Sequence, residues 1–332
     1  MPVVADADVS TKEWEEFYHS HTAIPIFQSP DMYQVYARTK GLTPDVIFFV
    51  ESGTIRGSLL SVRQVWGRGV VARRLSRFLI QAGPQGETAA IASLLKTHKR
   101  IAATKSVFSE IRPILPDPPL QRMARLCGFR WEPHLNYLVD LSRGEAELWS
   151  SMSKSRRKNI RAAEKSGLSI HNVDGRGGVL RLHGLVQESY SRAGLPAPDL
   201  TLFEAAYDIL GSCGGWLGLV VCEGKTPIAA RAVLVSNGVL HDWYAGSSDR
   251  GRNLHADEWL VWEILKRGIA ESRRMFDFGG AGGLEETYGP GEFKRRFGGH
   301  EVRPGRMIAV HRPVEYFMGR AAWKAMSRIR RG

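Results

Sequence analysis

Apolar runs of strand length appear in the same arrangement in both halves of the chain. Residues 46–50 and 55–65 form one pair of runs, and residues 217–222 and 227–235 form the other. A short turn segment that contains glycine separates the members of each pair, which predicts antiparallel strands. The pattern therefore predicts a similar meander in each half of the chain.

Two further features mark the halves, one in the second half alone and one in both. Asn237-Gly238 is the strongest hairpin signal in the chain and leads into a third predicted strand over residues 239–245. Gly128 and Gly298 each end a helical segment, and an extended run follows each of them. The two halves therefore resemble each other, although common hairpins can also produce such a similarity by chance. At 332 residues the chain is long enough for two cores.

Two segments are predicted to be helices with a basic side. Residues 148–167 have an apolar stripe that includes Trp149 and Ile160, and the helix is expected to end at Gly167. A basic helix is usually a solvated surface, but six cations against one glutamate also favour contacts with phosphate. The cations are Lys154, Arg156, Arg157, Lys158, Arg161 and Lys165.

Residues 314–331 form the second of these helices and are amphipathic. We expect the apolar side to pack back on the first domain. A contact with the surface of a membrane is the alternative interpretation.

The most distinctive stretch is residues 275–304, where a strand, a glycine-rich turn, a short basic helix and a second glycine break follow one another. Phe293 and Phe297 are four residues apart and share a helix face, whereas Lys294 points elsewhere. A lysine between two anchoring aromatic residues and beside several glycines is well placed to face a ligand. A lysine exposed to solvent is the alternative.

This ending resembles the terminal signature of the FemABX-like non-ribosomal peptidyltransferases of the N-acyltransferase (GNAT) superfamily. Other short pieces of the family pattern occur upstream in the same order, and together they span nearly the whole chain. They are residues 27–31, Gly83-Pro84, Gly128-Phe129, residues 139–141, residues 147–149 and residues 154–161.

The resemblance implies an α/β (α+β) fold of two tandem GNAT-like domains, each a mixed, mostly antiparallel sheet flanked by helices. We predict the first domain over residues 1–145, with the helix at 312–332 packing back on it, and the second over residues 146–311. It further implies an aminoacyltransferase that moves an amino acid from an aminoacyl-tRNA to an amine of a nucleotide- or lipid-linked muramyl-peptide precursor. No metal or cofactor is expected.

The resemblance places Lys294 at the centre of acyl transfer, where its charge would stabilise the oxyanion or hold the donor carbonyl. Asp242 and Tyr244 are candidates for ordering the acceptor or relaying a proton. Strand alternation predicts that these two residues share one face and that Trp243 and Ala245 lie on the other.

The segment at residues 250–256 bears on the identity of the donor. In GNAT enzymes that use acetyl-CoA, a glycine-rich loop here binds the pyrophosphate through backbone N–H groups. Leu254 and His255 stand where glycines are expected, which disfavours coenzyme A, and His255 becomes a candidate contact of the donor.

The remaining predicted site residues fall into two groups. Candidates for binding substrate are Phe293, Asp277, Arg231, Tyr207, Tyr36 and Arg38. Candidates for contacting RNA are Lys154, Arg156, Arg157, Arg161 and Arg295.

Composition adds limits to these predictions. A net charge of +12 and a pI near 9.8 favour an anionic partner. The three cysteines fit neither a disulfide framework nor a zinc site. The N-terminus does not resemble a signal peptide, and we expect a cytoplasmic protein, with a peripheral contact at the inner membrane surface as one option. The rival functions are an N-acyltransferase that uses acyl-CoA and a non-catalytic RNA-binding protein.

Overall fold

A computed structural model describes residues 3–5, 9–21, 23–65, 76–283 and 289–329. Side chains are described for residues 9–21, 23–65, 76–283 and 291–321. The chain divides into two compact units, the first formed by residues 1–133 and 304–332 and the second by residues 134–303.

The described part of the first unit contains one sheet and its covering helices. The strands are β1 (Val3–Ala5), β2 (Leu42–Glu51), β3 (Thr54–Val65), β4 (Ser76–Gln81), β5 (Gln85–Gly86), β6 (Phe108–Arg112), β7 (Arg130–Glu132) and β15 (Arg306–Val310). They follow the order β1-β2-β3-β4-β6-β15-β7 in the sheet, with β5 beside β3, and all pairs are antiparallel except β4 with β6. The helices are α1 (Thr11–Ser20), α2 (Pro30–Ala37), α3 (Thr88–Lys105), α4 (Pro118–Leu126) and α12 (Pro313–Ile329).

The described part of the second unit likewise contains one sheet and its covering helices. The strands are β8 (Asn136–Asp140), β9 (Leu168–Asn172), β10 (Trp216–Glu223), β11 (Thr226–Ser236), β12 (Val239–Ser247), β13 (Met275–Gly280) and β14 (His300–Val302). They follow the order β14-β8-β13-β12-β11-β10-β9 in the sheet, and among these described strands only β12 with β13 is a parallel pair. The helices are α5 (Gly144–Ser151), α6 (Lys154–Glu164), α7 (Gly175–Arg192), α8 (Leu200–Leu210), α9 (Asp249–Asn253), α10 (Ala256–Ala270) and α11 (Gly289–Arg295).

The predicted fold class of two mixed, mostly antiparallel sheets flanked by helices is confirmed. The meander of the first half is β2 and β3, and that of the second half is β10, β11 and β12. Asn237 and Gly238 both have positive φ, at 49° and 74°, which is the geometry that a two-residue hairpin with matched twist requires.

The borders of the compact units differ from the predicted domain borders at 145 and 311. The extended run after Gly128 contributes β7 to the first sheet and β8 to the second. The run after Gly298 contributes β14 to the second sheet and β15 to the first. The division of each run between two sheets depends on pairing with strands that are distant in the sequence, so the run itself does not reveal it.

The prediction of a single helix over residues 148–167 is wrong. This segment contains the end of α5 and the whole of α6, which are separated at Met152 and Ser153. Met152 has extended backbone (ψ 150°), and the Ser153 hydroxyl caps α6 by accepting from the N–H of Arg156. The extended residue Met152 ends the first helix, and the Ser153 cap begins a second one, so the apolar positions do not form one continuous helical stripe.

The C-terminal helix α12 belongs to the first unit. Tyr316 packs against Val107 and Ile308, whereas Val314, Phe317 and Met318 are exposed. Its side chains beyond residue 321, including the predicted apolar and basic positions there, lie outside those described. No helix in the described part of the chain is long and apolar enough to cross a bilayer.

Candidate active site

Lys294 lies on α11 with its ammonium group directed at the end of β13. Nζ donates to the carbonyl oxygens of Phe278, Gly279 and Gly280 at 2.6, 3.2 and 2.7 Å. Burial lowers the pKa of Lys294 to about 8, while the carboxylates of Asp242 and Asp277 act against that lowering. The three N–H groups of a lysine thus find three acceptors, and the positive charge is held at a defined point.

Two phenylalanines anchor the helix that carries Lys294. The rings of Phe293 and Phe297 are 5.2 Å apart, and Phe297 is fully buried in the core. The guanidinium of Arg156 lies 4.3 Å from the first ring and 4.4 Å from the second, within the range of a cation–π contact. This packing fixes α11 and with it the backbone of Lys294.

Arg231 organises an ion cluster in the same region. Its Nε and Nη2 donate to the two carboxylate oxygens of Asp257 at 3.0 Å each, and its Nη1 donates to Oδ2 of Asp242. Burial disfavours the charge of Arg231, but the two carboxylates outweigh burial and raise its pKa. Burial also raises the pKa of Asp257. The other oxygen of Asp242, Oδ1, is buried and accepts no hydrogen bond from the described residues.

These groups surround a cavity of about 460 Å³ in the second unit. Five of the predicted site residues, Lys294, Asp242, Tyr244, Phe293 and Arg231, line it together. The other lining residues are Tyr190, Trp243, Ala245, Asp257 and Phe278. An open cavity with aromatic residues and a few converging charges in its lining is typical of a binding or active site.

A bulge in β12 changes the alternation of the residues that line the cavity. Ala232 of β11 pairs with Tyr244, but its neighbour Val233 pairs with Asp242, so Trp243 is the extra residue. The predicted alternation of Asp242 and Tyr244 against Trp243 and Ala245 is therefore wrong, since all four line the cavity.

Asp277 supports the site without being among the residues that line the cavity. It accepts from Asn136 Nδ2 and the Gly279 N–H, both at 2.8 Å, and lies 3.0 Å from His241 Nδ1. Burial would raise the pKa of Asp277, but these hydrogen bonds lower it. The bond to Gly279 shapes the turn whose carbonyls hold Lys294.

The remaining predicted substrate contacts are placed elsewhere. Tyr207 accepts from the Gly175 N–H at 2.9 Å, so it supports the start of α7. His255 has a left-handed backbone (φ 56°) before α10, and its Nδ1 lies 3.5 Å from Glu258. Neither residue is among those that line the cavity. Tyr36 is buried in the first unit, where burial raises its pKa, and Arg38 is exposed there.

The predicted RNA contacts divide into structural and exposed residues. Arg156 is buried, pairs with Glu258 at 2.9 Å and donates to the Phe293 carbonyl at 3.0 Å, so the prediction of a phosphate contact is wrong for it. Arg157 donates from one nitrogen to three carbonyls at the end of α5. The other three predicted contacts, Lys154, Arg161 and Arg295, are exposed.

The segment between β12 and α10 is a short helix, α9, rather than the predicted loop. The N–H of Gly251 donates to the Ser248 hydroxyl, and the N–H groups of Arg252, Leu254 and His255 donate to backbone carbonyls. Gly251 is close to the backbone of Ile228, so its lack of a side chain serves the contact with β11. These N–H groups are therefore already used within the protein.

The site also contains residues that the sequence did not single out. Asp257 stands in the first turn of α10, where an acidic residue is explained by the helix dipole alone. Tyr190 lies far upstream on α7, and no local pattern connects it with β12. Only the folded chain brings these residues to the cavity.

The class of protein follows from comparison of this fold with known proteins. Residues 150–295 match the family model of the acetyltransferase (GNAT) domain. No curated protein sequence matches the chain.

Among solved structures, the chain is similar to FemX, with a TM-score of 0.71 and 15% identity over 96% of this chain and 99% of that one. It is also similar to a tandem GNAT protein from the clavulanic acid biosynthesis pathway, with a TM-score of 0.61 and 12% identity over 93% and 98% of the two chains. L-PGS from Bacillus licheniformis gives a TM-score of 0.55 and 12% identity over 90% and 91%. The chain thus has the tandem GNAT fold, and the FemABX-like resemblance seen in the sequence is confirmed in the fold.

Proposed function

We propose that this protein is an aminoacyltransferase that moves an amino acid from an aminoacyl-tRNA to an amine of a muramyl-peptide precursor. The fold is that of GNAT acyltransferases, and the partly buried Lys294 lies in the cavity of the GNAT domain. The tRNA donor and the muramyl-peptide acceptor are the parts of this proposal that experiment must decide.

The choice of donor rests on the hydrogen bonds and charged side chains of the segment between β12 and α10. A pyrophosphate needs free backbone N–H groups at the start of a helix. Here the N–H groups of residues 251, 252, 254 and 255 are occupied, and the arginines nearest the first turn of α10, Arg231 and Arg156, are paired with Asp257 and Glu258. This segment thus offers a pyrophosphate neither those N–H groups nor an unpaired arginine, which supports an aminoacyl ester of tRNA over coenzyme A.

The reaction needs little from the protein beyond position and charge. The neutral amine of the acceptor attacks the ester carbonyl carbon, a C–N bond forms, and the C–O bond to the tRNA ribose breaks. The nitrogen loses one proton, and the leaving ribose oxygen gains one. The charge of Lys294 would stabilise the oxyanion of the tetrahedral intermediate. A direct hydrogen bond to that oxyanion would require Nζ to give up one of its three carbonyl contacts.

The exposed cations are the proposed contacts of the tRNA backbone. Lys154 and Arg161 lie on the outer side of α6, and Arg295 follows Lys294 on α11. Arg161 stacks over the Trp149 ring at 5.3 Å, and Arg295 bonds to Glu292 at 2.8 Å. A high positive charge favours association with a polyanion.

The acceptor side is the least defined part of the proposal. A lipid-linked precursor would place the protein at the inner surface of the membrane, in contact with it but not embedded. The exposed Val314, Phe317 and Met318 on α12 support such a contact, because an apolar helix face can enter the headgroup region.

Transfer from labelled donors tests the function directly. The protein is incubated with total tRNA charged with labelled amino acids or with labelled acetyl-CoA, each with and without muramyl-pentapeptide precursors. We expect label to reach the precursor from tRNA and not from acetyl-CoA. Transfer only from acetyl-CoA would replace the proposal with the acyl-CoA-dependent enzyme, and binding of tRNA without transfer would favour the RNA-binding protein.

A further inference from the structure

One polar atom in the wall of the cavity stands out by its hydrogen bonding. Asp242 lines the cavity with 8% of its side chain exposed. Its Oδ2 accepts from Arg231, whereas its Oδ1 is buried and accepts nothing from the described residues. An unsatisfied buried carboxylate oxygen costs stability, and a ligand that donates to it recovers that loss.

The charge of the surrounding cluster points in the same direction. Arg231 is shared between two carboxylates, Asp242 and Asp257, which leaves one negative charge without a partner inside the cluster. The nearby ammonium of Lys294 does not satisfy Oδ1, since its three N–H groups bond to the carbonyls of residues 278–280. Oδ1 therefore needs a further hydrogen-bond donor, and a cationic donor also gains from the second carboxylate of the cluster.

The walls of the cavity suit the same kind of ligand. Four aromatic residues whose rings are not fully buried, Tyr190, Trp243, Tyr244 and Phe293, belong to the lining. The Trp243 and Tyr244 rings are 4.9 Å apart, and those of Tyr190 and Tyr244 are 6.2 Å apart. A cavity lined by several aromatic residues together with a carboxylate is of the kind that proteins use to bind ammonium groups.

We propose that the cavity binds a protonated primary amine, which donates to Oδ1 of Asp242 between the aromatic rings, and that this amine is the α-ammonium of the aminoacyl donor. The proposal rests on the proposed function and makes it more specific. It gives Asp242 the role of selecting an aminoacyl group over an acyl group without an amine.

The chemistry of the reaction assigns this ammonium to the donor. The attacking amine of the acceptor must be neutral, because a protonated nitrogen has no lone pair to form the new bond. A carboxylate and aromatic faces stabilise the charged form of an amine and would suppress its attack. The α-amine of the donor takes no part in bond formation, so holding it as a cation costs the reaction nothing.

Binding of small probes tests the proposal without any transfer. The dissociation constants of L-alanine methyl ester, methyl lactate and Nα-acetyl-L-lysine amide are measured by ligand-observed NMR titration at pH 6.5. Methyl lactate replaces the ammonium by a neutral hydroxyl, and the lysine derivative offers an amine like that of an acceptor. We expect the alanine ester to bind at least tenfold more tightly than either of the others.

The matched variants are Asp242→Asn and Asp208→Asn. The first keeps an oxygen for Arg231 and removes the charge, so it should lose most of the tenfold preference while its near-UV circular dichroism stays unchanged. The second removes an exposed carboxylate of α8 that pairs with Arg176 and should keep the preference. Equal binding of alanine ester and lactate, no binding of the alanine ester, or an undiminished preference in Asp242→Asn would overturn the proposal.

The outcomes separate this inference from the proposed function. If the lysine derivative binds more tightly than the alanine ester, the assignment to the donor is wrong. If the alanine ester is preferred but charged tRNA yields no transfer, the ammonium site stands and the proposed function fails. If tRNA supports transfer but the probes are not discriminated, only the ammonium site is lost.

Discussion

Each unit contains a buried ion cluster, and the two clusters differ in whether they are complete. In the first unit, Glu110 is surrounded by Arg112 of its own strand β6 and by Arg77 and Arg306 of the neighbouring strands β4 and β15. Its Oε1 accepts from Arg112 and Arg306 at 3.0 and 2.9 Å, and its Oε2 accepts from Arg77 and Arg112 at 3.2 and 3.1 Å. In the second unit, one arginine serves two aspartates, and an oxygen of Asp242 is left without a donor.

The comparison teaches how to separate structural ion clusters from functional ones. The Glu110 carboxylate has every acceptor position filled, and it ties β4, β6 and β15 together. The Asp242 cluster is incomplete at an atom in the wall of a cavity, where a ligand can complete it. Burial and charge alone do not distinguish the two clusters, whereas the count of satisfied acceptors does.

Removing the carboxylate of the complete cluster should have the largest effect on stability. Glu110→Gln leaves three arginines around a neutral amide, and we expect the free energy of unfolding to fall by about 3 kcal/mol. Urea denaturation measures this, and Glu132→Gln on β7, whose carboxylate pairs with exposed arginines, should cost less than about 1 kcal/mol. Equal losses in the two variants would mean that the cluster is not a structural unit.

The same cluster makes a prediction about pH. Burial alone would raise the pKa of Glu110, but Arg112, Arg306 and Arg77 outweigh it and lower the pKa to about 2. The stabilisation is therefore complete above the ordinary pKa of 4.5 and is lost as the pH falls toward 2. We expect the stability difference between wild type and Glu110→Gln to shrink between pH 5 and pH 2, as followed by denaturation at each pH. A constant difference would contradict this.

For the cavity that holds the incomplete cluster, the largest expected effect is on activity and comes from Lys294. Lys294→Met should reduce transfer by about 10²–10³-fold while the protein stays folded, because a positive charge near the oxyanion is lost. The neighbouring Arg295→Met serves as a control in a transfer assay with a small aminoacyl ester as donor, where it should stay near the wild-type rate. Wild-type turnover in Lys294→Met would exclude the residue from the reaction.

The pKa of Lys294 predicts the alkaline side of the pH profile. Since the pKa is about 8 and the protonated form stabilises the oxyanion, kcat/KM should fall as the pH rises through about 8. Lys294→Arg keeps its charge at this pH, so the fall should move to higher pH even if the maximal rate is lower. The pH dependence of transfer from a small aminoacyl ester measures this, and an unchanged profile in the arginine variant would assign the fall to another group.

The smallest expected effect concerns the exposed cations of α6. Each phosphate contact of Lys154 or Arg161 should contribute about 0.7 to 0.9 to the slope of log affinity against log salt. Lys154→Glu with Arg161→Glu should lower that slope in tRNA binding, while Arg122→Glu on the exposed side of α4 serves as the control. Equal slopes in both variants would leave these cations as a solvated surface. Arg156 is unsuitable for this test because it is buried against Glu258.

Much of the local structure could be predicted from the sequence. The meander strands, the Asn237-Gly238 hairpin and the short helix with Phe293 and Phe297 depend on neighbouring residues, and their periodicity appears in any local window. Lys294 could also be singled out, through its neighbours and the family resemblance, and it lies in the cavity lining, while its role in transfer stays a prediction. The break at Ser153 was missed, although a serine directly before a helical segment is a preferred N-cap residue.

What the sequence by itself determined about this protein is therefore its elements and its fold class, because propensity, capping and hydrophobic periodicity act over a few residues. The tertiary structure decided the site. The bulge at Trp243 lies among four consecutive residues that line one cavity, and burial made Arg156 a structural residue. It also left Oδ1 of Asp242 without a donor. Whether a charged atom has a partner depends on residues distant in the chain, and no local pattern records such distances.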